Sequence, residues 1–205
     1  MSEESIDPRI PHDDLSELLK VSLALAESLD RDVVLKTAIE AAVELLGADT
    51  GAIFLLDGDE AVLGAITHGP VGELPAGLRR LPLLRHPQMK RAIFGQELIV
   101  IPDLTKAELS HAERTLLDGT DLCALLYVPL RADAEPMGVM LLGAKECTRE
   151  FSDHDRDACR LLGAQVALAI QNARLFEAVQ EAAAELQSAY DATLEGWSLA
   201  LEMRD

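Results

Sequence analysis

The sequence predicts an α+β protein: a central antiparallel sheet with helices packed on one face and irregular structure on the other. Two observations lead to this fold class. Strand-like apolar segments occupy the middle of the chain, and segments with helical periodicity occupy both ends. The strands outnumber the segments that could cross over between parallel neighbours, so their pairing is expected to be antiparallel.

Length and charge limit the possible functions. A chain of 205 residues can form one domain with helical extensions. Its 36 acidic and 18 basic residues give a net charge of -18, which repels nucleic acid and anionic membranes. No uncharged apolar run is long enough to span a bilayer, and the acidic N-terminus is unlike a signal peptide. We therefore expect a soluble cytoplasmic protein that binds neither nucleic acid nor membrane.

The N-terminal part predicts a tail and two helices. Residues 1–12 contain two prolines and are predicted to be flexible, and residues 13–29 are predicted to form a dimerisation helix. The narrow apolar stripe of that helix includes Leu15, Leu18, Ser22 and Leu25. A second helix follows Asp30, a favourable N-cap, and stops at Gly47. Its broader apolar face predicts packing on a core, whereas the narrow stripe predicts packing on another helix.

A hairpin is predicted directly after the second helix. Two apolar segments, Ala52–Leu56 and Ala61–His68, flank the turn sequence Asp57-Gly58-Asp59. The next segment, 69–82, is rich in glycine and proline and predicts a loop.

Short elements and two central strands complete the predicted sheet. A short helix is predicted over His86–Phe94, a short strand over Glu97–Ile101 and a weak helix over 107–119. The segments 122–130 and 137–145 are apolar at both their odd-numbered and their even-numbered positions, which is typical of strands covered on both sides.

The last helix is predicted to begin at Ser152 or Asp153 and to continue to the end of the chain. Its first part has a wide face suited to the domain core, made of Leu161, Leu162, Val166, Leu168, Ala169 and Ile170. From Asn172 the spacing alternates between three and four, typical of a coiled-coil seam. The seam consists of Phe176, Val179, Ala183, Leu186, Tyr190 and Trp197. A helix over 172–201 is roughly 45 Å long, more than one small domain can cover, and predicts a homodimer.

The order of these elements and three motifs resemble the GAF domain, a small-molecule sensor module of signalling proteins. The motifs are RDVVLKTAIEAAVELLGADTGAIFLLD, LYVPLRADAEPMGVMLLGAK and REFSDHDRDACRLLGAQVALAIQNARLFE. The resemblance implies a regulatory, non-catalytic GAF domain over 30–171. It also implies that the flanking helices, 13–29 and 172–205, pair in a parallel dimeric bundle.

The segment YDATLEGWSLALEMRD is similar to the start of HD-GYP phosphodiesterase domains. This similarity implies that the helix over 172–205 leads to an output domain that hydrolyses cyclic di-GMP and is absent from this chain. The paired His-Asp of the HD motif is missing, so the similarity implies no metal site here. The sequences HDD at 12–14 and HDRD at 154–157 resemble metal-binding motifs. They lie where helices are predicted to begin, and acidic residues at such positions act as helix caps.

A GAF ligand lies between the sheet and the loops and short helices that cover it. By resemblance, the ligand-binding residues expected here are Phe54, Tyr127, Arg79, His86, Arg91 and His111. The alternative for each polar member of this set is an ordinary solvated loop residue.

The ligand class stays open at this stage. The cyclic-nucleotide signature of the family, Asn-Lys…Phe…Asp-Glu, is matched only in part, because Ala144 replaces Asn and Arg156 replaces Glu. The resemblance still implies an ion pair between Lys145 and Asp155 that braces the sheet against the last helix. Haem could bind through His68, His86 or His111, whereas bilin attachment is excluded because 69–121 contains no cysteine.

Two further functions stay open. The chain could be a dimerisation or spacer module without a ligand, or a thiol-dependent enzyme that resembles free methionine sulfoxide reductase. The enzyme requires a reactive thiol, and Cys123 and Cys147 are expected on adjacent strands. The odd cysteine count and the absence of CxxC spacing favour reduced, buried cysteines in the cytosol over a disulfide framework.

Overall fold

The structure is a computed structural model that describes residues 30–67, 76–133, 135–146 and 152–202. Side chains are described as far as Tyr190. Several predictions therefore fall outside the described residues: the tail 1–12, the helix 13–29 with its four seam residues, His68, Cys147 and the side chain of Trp197.

The described residues form an α+β fold, as the sequence predicts. The helices are α1 (Arg31–Leu45), α2 (Pro87–Gly95), α3 (His111–Leu117) and α4 (Asp153–Glu202). The strands are β1 (Thr50–Asp57), β2 (Glu60–Ile66), β3 (Arg80–Pro82), β4 (Ile99–Ile101), β5 (Ala124–Ala132) and β6 (Glu135–Ala144). They form one antiparallel sheet in the order β3-β2-β1-β6-β5-β4.

Local sequence signals place α1 and the first hairpin. The Asp30 carboxylate accepts hydrogen bonds from the backbone N–H groups of Asp32 and Val33, which fixes the start of α1. Gly47 follows the helix with a positive φ of 56°, a conformation that glycine adopts without strain. β1 and β2 then pair through the predicted turn, with Asp57 opposite Glu60.

β3 is a strand that the sequence does not predict. It lies inside the segment expected to be a loop, and it is three residues long and ends in proline. So short a strand has no readable periodicity, and it forms because Arg80, Leu81 and Pro82 pair with the outer edge of β2. Tertiary pairing creates this element.

Each face of the sheet carries its own apolar core. α1 and α4 cover one face, termed the helical face, where they pack on residues such as Ile53, Leu126 and Met140. α2 and α3 cover the opposite face, termed the cavity face, which includes Phe54 and Tyr127. The prediction of helices on one face is confirmed for the two long helices, and two short helices occupy the face that was expected to be irregular.

The first part of α4 packs on the helical face through a narrower set of residues than predicted. Leu162, Val166 and Ile170 are fully buried there. Leu161 and Leu168 were expected in the same core, but their side chains are 40% and 49% exposed. They point away from the sheet because a helix turns about 100° per residue.

Beyond the sheet, α4 continues as a solvent-exposed helix. Every residue from Leu175 to Tyr190 is exposed. The helix has 50 residues, which corresponds to roughly 75 Å. No helix in the described parts of the chain is both long enough and apolar enough to cross a membrane.

The cysteines differ from the prediction. Cys123, which precedes β5, forms a disulfide, so the expectation that every cysteine is reduced is wrong. Cys159 of α4 is not part of a disulfide and is fully buried on the helical face. An odd number of cysteines without CxxC spacing did not reveal this bond, because the proximity of two thiols is set by the fold.

Candidate functional site

A small cavity lies on the cavity face, between the middle of the sheet and the end of α3. Its volume is about 60 Å³. Its walls come from β1, β2, β5, β6, α3 and the segment that joins α3 to β5. The lining residues are Thr50, Gly51, Ala52, Phe54, Ile66, Leu116, Leu117, Thr120, Leu122, Leu125, Leu141 and Gly143.

The lining is apolar, and its two hydroxyl groups already have partners. The Thr120 hydroxyl donates to the carbonyl oxygen of Leu117 over 2.7 Å. The Thr50 hydroxyl lies 3.1 Å from that of Thr67, which also accepts from the N–H of Gly51. No charged side chain is among the lining residues. The cavity therefore offers shape and apolar surface to a ligand, with few polar contacts.

Two glycines border the cavity where β1 and β6 pair. A methyl group on Gly143 would lie 2.6 Å from Leu122 Cδ1 and 3.2 Å from Thr50 Cγ2, so Leu122 packs directly against the bare backbone of Gly143 and leaves no room for a side chain there. A methyl group on Gly51 would point to the opposite face, 2.6 Å from Ile39 Cδ1 of α1. At Gly51 only the backbone separates the cavity from α1.

The structure does not bring the expected ligand-binding residues together. Phe54 lines the cavity. Tyr127 and His86 are buried but are not among the lining residues. Arg79, Arg91 and His111 are exposed on the surface, as the solvated-loop alternative expects.

Glu113 is a buried carboxylate that the sequence analysis overlooked. Its side chain is only 1% exposed, and it accepts hydrogen bonds from the N–H groups of Gln88, at 2.7 Å, and Ser110, at 2.9 Å. Since Gln88 lies in the first turn of α2 and Ser110 caps α3, one carboxylate joins the starts of both helices. The signal was present in the sequence, because Ser110 and Glu113 form the Ser-x-x-Glu pattern of a capping box.

Two polar side chains are buried on the same face. Burial, and secondarily the negative charge of Glu113, raise the pKa of Tyr127 far above its usual value. His86 Nδ1 donates to the carbonyl oxygen of Pro82 over 2.9 Å, because a carbonyl can only accept. The contact with Pro82 fixes the orientation of the His86 ring. Haem does not fit this site, since the cavity is far smaller than the macrocycle and His86 does not line it.

A larger groove follows the outer edge of β4. Its volume is about 770 Å³, and Arg91 lies in its wall. The charges in this groove pair with one another: Arg91 contacts Glu97 at 2.7 Å, and Lys106 contacts Asp103 at 2.6 Å. Hydrogen bonds from Lys106 and Thr105 lower the pKa of Asp103 to about 2. The groove therefore holds satisfied surface ion pairs, with neither cation free to attract a ligand anion.

The expected ion pair between Lys145 and Asp155 is not formed. Lys145 Nζ lies 3.5 Å from Asp121 Oδ2, and the backbone N–H of Lys145 donates to Asp49. The Asp155 carboxylate instead accepts from the N–H and the hydroxyl of Ser152, both at 2.8 Å. Asp155 is thus the reciprocal partner of Ser152 in capping α4, a local role that competes with a distant cation.

The architecture and the cavity define a class: an α+β domain with helices on both faces of one sheet and a small cavity between the sheet and its short helices. The GAF domain family model matches residues 28–171. The chain belongs to the GAF domain family.

Solved structures show the same fold. The GAF domain from a phosphoenolpyruvate-protein phosphotransferase of Coxiella burnetii is 21% identical with a TM-score of 0.69, over 80% of this chain and 96% of that chain. Free methionine-R-sulfoxide reductase from Neisseria meningitidis is 17% identical with a TM-score of 0.64. The match covers 83% of this chain and 98% of that chain. A GAF domain/HD domain protein from Geobacter sulfurreducens is 20% identical with a TM-score of 0.58. The match covers 78% of this chain and 98% of that chain. At these identities the similarity concerns the fold alone.

Proposed function

We propose that this GAF domain is a regulatory sensor module that acts as a parallel homodimer and relays a signal through α4. The observation that carries the proposal is a stripe of exposed large apolar side chains along one side of that helix, interrupted by Gln165 and Asn172. Clustered exposed apolar surface of this kind marks an interaction site.

The stripe is longer and wider than the predicted seam. Its members are between 40% and 73% exposed: Leu161, Leu168, Leu175, Phe176, Val179, Leu186 and Tyr190. At 100° per residue they fall within a sector about 100° wide, which exceeds the narrow seam of a two-stranded coiled coil. This width favours a bundle in which two copies of α4 also contact the two predicted helices over 13–29.

The stripe begins on the domain itself, which gives the sheet a way to act on the helix pair. Leu161 and Leu168 lie on the same turns of α4 that bury Leu162 and Val166 against the sheet. Any movement of α4 on the sheet therefore changes the packing of the stripe. Because packed helices have discrete arrangements, a small shift can be converted into rotation of the exit helices.

The relay that we propose from the cavity to α4 passes through Gly51 and α1. Gly51 lines the cavity, and its other side faces Ile39 and Val43 of α1 across the sheet. α1 and α4 belong to the same apolar core. A ligand that displaces the backbone at Gly51 would therefore act on the helical layer directly.

The proposed output is an HD-GYP domain that hydrolyses cyclic di-GMP. This step is supported by the tail sequence, which is similar to the start of such domains, and by the similar fold of a protein that contains both GAF and HD domains. In this arrangement the GAF domain itself is not catalytic.

The stripe is tested by charge substitution. Leu186→Asp combined with Tyr190→Asp places two carboxylates in the proposed interface, where their desolvation is unfavourable. We expect wild-type protein to sediment as a dimer and the double variant as a monomer. Ser188→Asp adds a charge on the opposite side of the same turns and should leave the dimer intact. A dimeric double variant, or a monomeric wild type, contradicts the proposal.

A ligand-free dimerisation or spacer module is the second candidate, and the small cavity volume favours it. Both functions require the dimer, but only the sensor requires a ligand in the cavity. Native mass spectrometry of purified protein distinguishes them, because a sensor is expected to carry or acquire a small molecule and a spacer is not.

The thiol-dependent enzyme is the third candidate, favoured by the position of Cys123 next to Leu122, which lines the cavity. Cys159 cannot take part, because it is buried on the opposite face of the sheet. Turnover of free methionine sulfoxide with a thiol reductant, lost in Cys123→Ser, would support the enzyme. Absence of turnover in reduced wild-type protein would exclude it.

A further inference from the structure

We infer that the cavity selects a small, uncharged, apolar molecule of a few heavy atoms, and that it excludes cyclic nucleotides and other anions. This inference rests on the proposed sensor function, since it names the class of ligand that the sensor would detect. Three features of the cavity support this inference. They are its small volume, the hydrogen bonds that already occupy its hydroxyl groups, and the small residues on β1 and β6 that determine its size.

The volume sets an upper limit on the ligand. One buried water needs roughly 10–15 Å³ of such space, so a cavity of about 60 Å³ holds only about four to six water-sized groups. Sites for drug-sized ligands occupy roughly 300–1,000 Å³. A nucleotide would require the sheet and α3 to separate, which would open the apolar core to which Leu116 and Leu125 belong.

The chemistry of the lining sets the polarity of the ligand. The hydroxyl of Thr120 donates to Leu117, and that of Thr50 is engaged with Thr67, so neither is free to replace the hydration of an ionic ligand. No lysine, arginine or histidine lines the cavity. An anion placed here would lose its water without compensation, whereas an apolar molecule gains dispersion contacts with the apolar lining.

The cavity size is set by residues that lack bulk on two adjacent strands. Gly143 of β6 lies opposite Thr50 of β1, and Ala52 follows two residues later on the same side of the sheet. One added methyl group at Gly143 would fall within 2.6 Å of Leu122 Cδ1, the flexible end of a side chain. A methyl group at Gly143 must therefore displace Leu122 in the cavity wall, and a shift of this side chain toward the cavity takes up part of its volume while the strands stay paired.

Xenon is the probe for this cavity, because it is uncharged, apolar and similar in size to the proposed ligand. We would record methyl NMR spectra of the full chain under increasing xenon pressure. We expect saturable shifts at Leu116, Leu125 and Leu141, which line the cavity, and none at Leu162 or Val166 on the helical face.

Two cavity-filling variants and one matched control complete the test. Gly143→Ala displaces Leu122 in the cavity wall and Ala52→Val adds bulk from β1, so a folding defect in one leaves the other as a test. Both are expected to lose the xenon-induced shifts. Gly77→Ala, where an added methyl group meets no atom within 4 Å, should keep them in full.

The inference is overturned if wild-type methyl groups do not respond to xenon, or if either folded filling variant responds as the wild type does. It is also overturned if millimolar cyclic AMP or cyclic GMP shifts the same methyl groups. Sedimentation separates this result from the proposed function. A dimer whose cavity ignores xenon contradicts only the ligand class, whereas a monomer that binds xenon contradicts the dimeric relay and leaves the ligand class standing.

Discussion

The helical face and the cavity face of the sheet are packed in different ways. The helical core, between the sheet and α1 and α4, consists of apolar side chains without a described buried charge. The cavity face holds Thr50, His86 and Glu113, which are the buried polar and charged residues among those described, together with the cavity. One face is thus packed by apolar contacts alone, whereas the other combines an apolar core with buried polar groups and a cavity. Local stability is expected to follow the same division.

The largest expected effect is a loss of packing on the helical face. Leu162→Ala removes a fully buried side chain and should lower the free energy of unfolding by about 2–5 kcal/mol. Leu161→Ala, one residue earlier and 40% exposed, should change it by less than about 1 kcal/mol. Urea unfolding of both, in the monomeric Leu186→Asp, Tyr190→Asp background, removes the contribution of the dimer. Similar losses for the two variants would show that the two sides of α4 are equally packed.

On the cavity face, Glu113 is expected to contribute through hydrogen bonds more than through packing. Glu113→Ala leaves the backbone N–H groups of Gln88 and Ser110 without their buried acceptor and should cost about 2–4 kcal/mol. Glu113→Gln keeps one acceptor oxygen and should cost about half as much. Urea unfolding of the two variants gives the comparison. If both variants were as stable as the wild type, the carboxylate would not be holding the two helices.

The smallest effect at neutral pH is expected for Tyr127. Its pKa is raised in the folded chain, mainly by burial, while an unfolded tyrosine ionises near pH 10. Its contribution to stability is therefore complete below pH 10. Above pH 10 it decreases by about 1.4 kcal/mol per pH unit, because only the unfolded state has lost the proton.

Tyr127→Phe removes the ionisable hydroxyl group. It should therefore reduce the loss of stability above pH 10 while changing stability little at pH 7. Urea unfolding of wild type and variant between pH 9 and roughly pH 11 is the measurement, within the range where tyrosine titrates. An identical alkaline slope in the two proteins would mean that Tyr127 does not stay protonated in the folded state.

Several features of the fold could be predicted because the interactions that form them are local. Asp30 caps α1 through contacts two and three residues away, and Gly47 ends the same helix through its own backbone conformation. The hairpin turn and the strands β5 and β6, which are apolar on both sides, could also be predicted from the sequence. The pattern of apolar residues along a strand indicates which of its faces are buried.

The candidate site was harder to predict, because its residues are related by distance in space. Phe54 lines the cavity, whereas the polar residues chosen from the covering segments lie on the surface or in the core. Lys145 pairs with Asp121, which lies much earlier in the chain, and Cys123 is oxidised. Neither choice of partner is encoded in the spacing of the residues themselves.

The sequence alone determined the class of fold, the order of the main elements and the apolar character of both sides of α4. These properties follow from the alternation and helical spacing of neighbouring residues, which each segment carries by itself. Tertiary structure decided the pairing of β3, the outward direction of Leu161 and Leu168, the burial of Glu113 and the size of the cavity. The cavity is what remains when side chains from several separate elements fail to fill the space between them, so no single segment contains it.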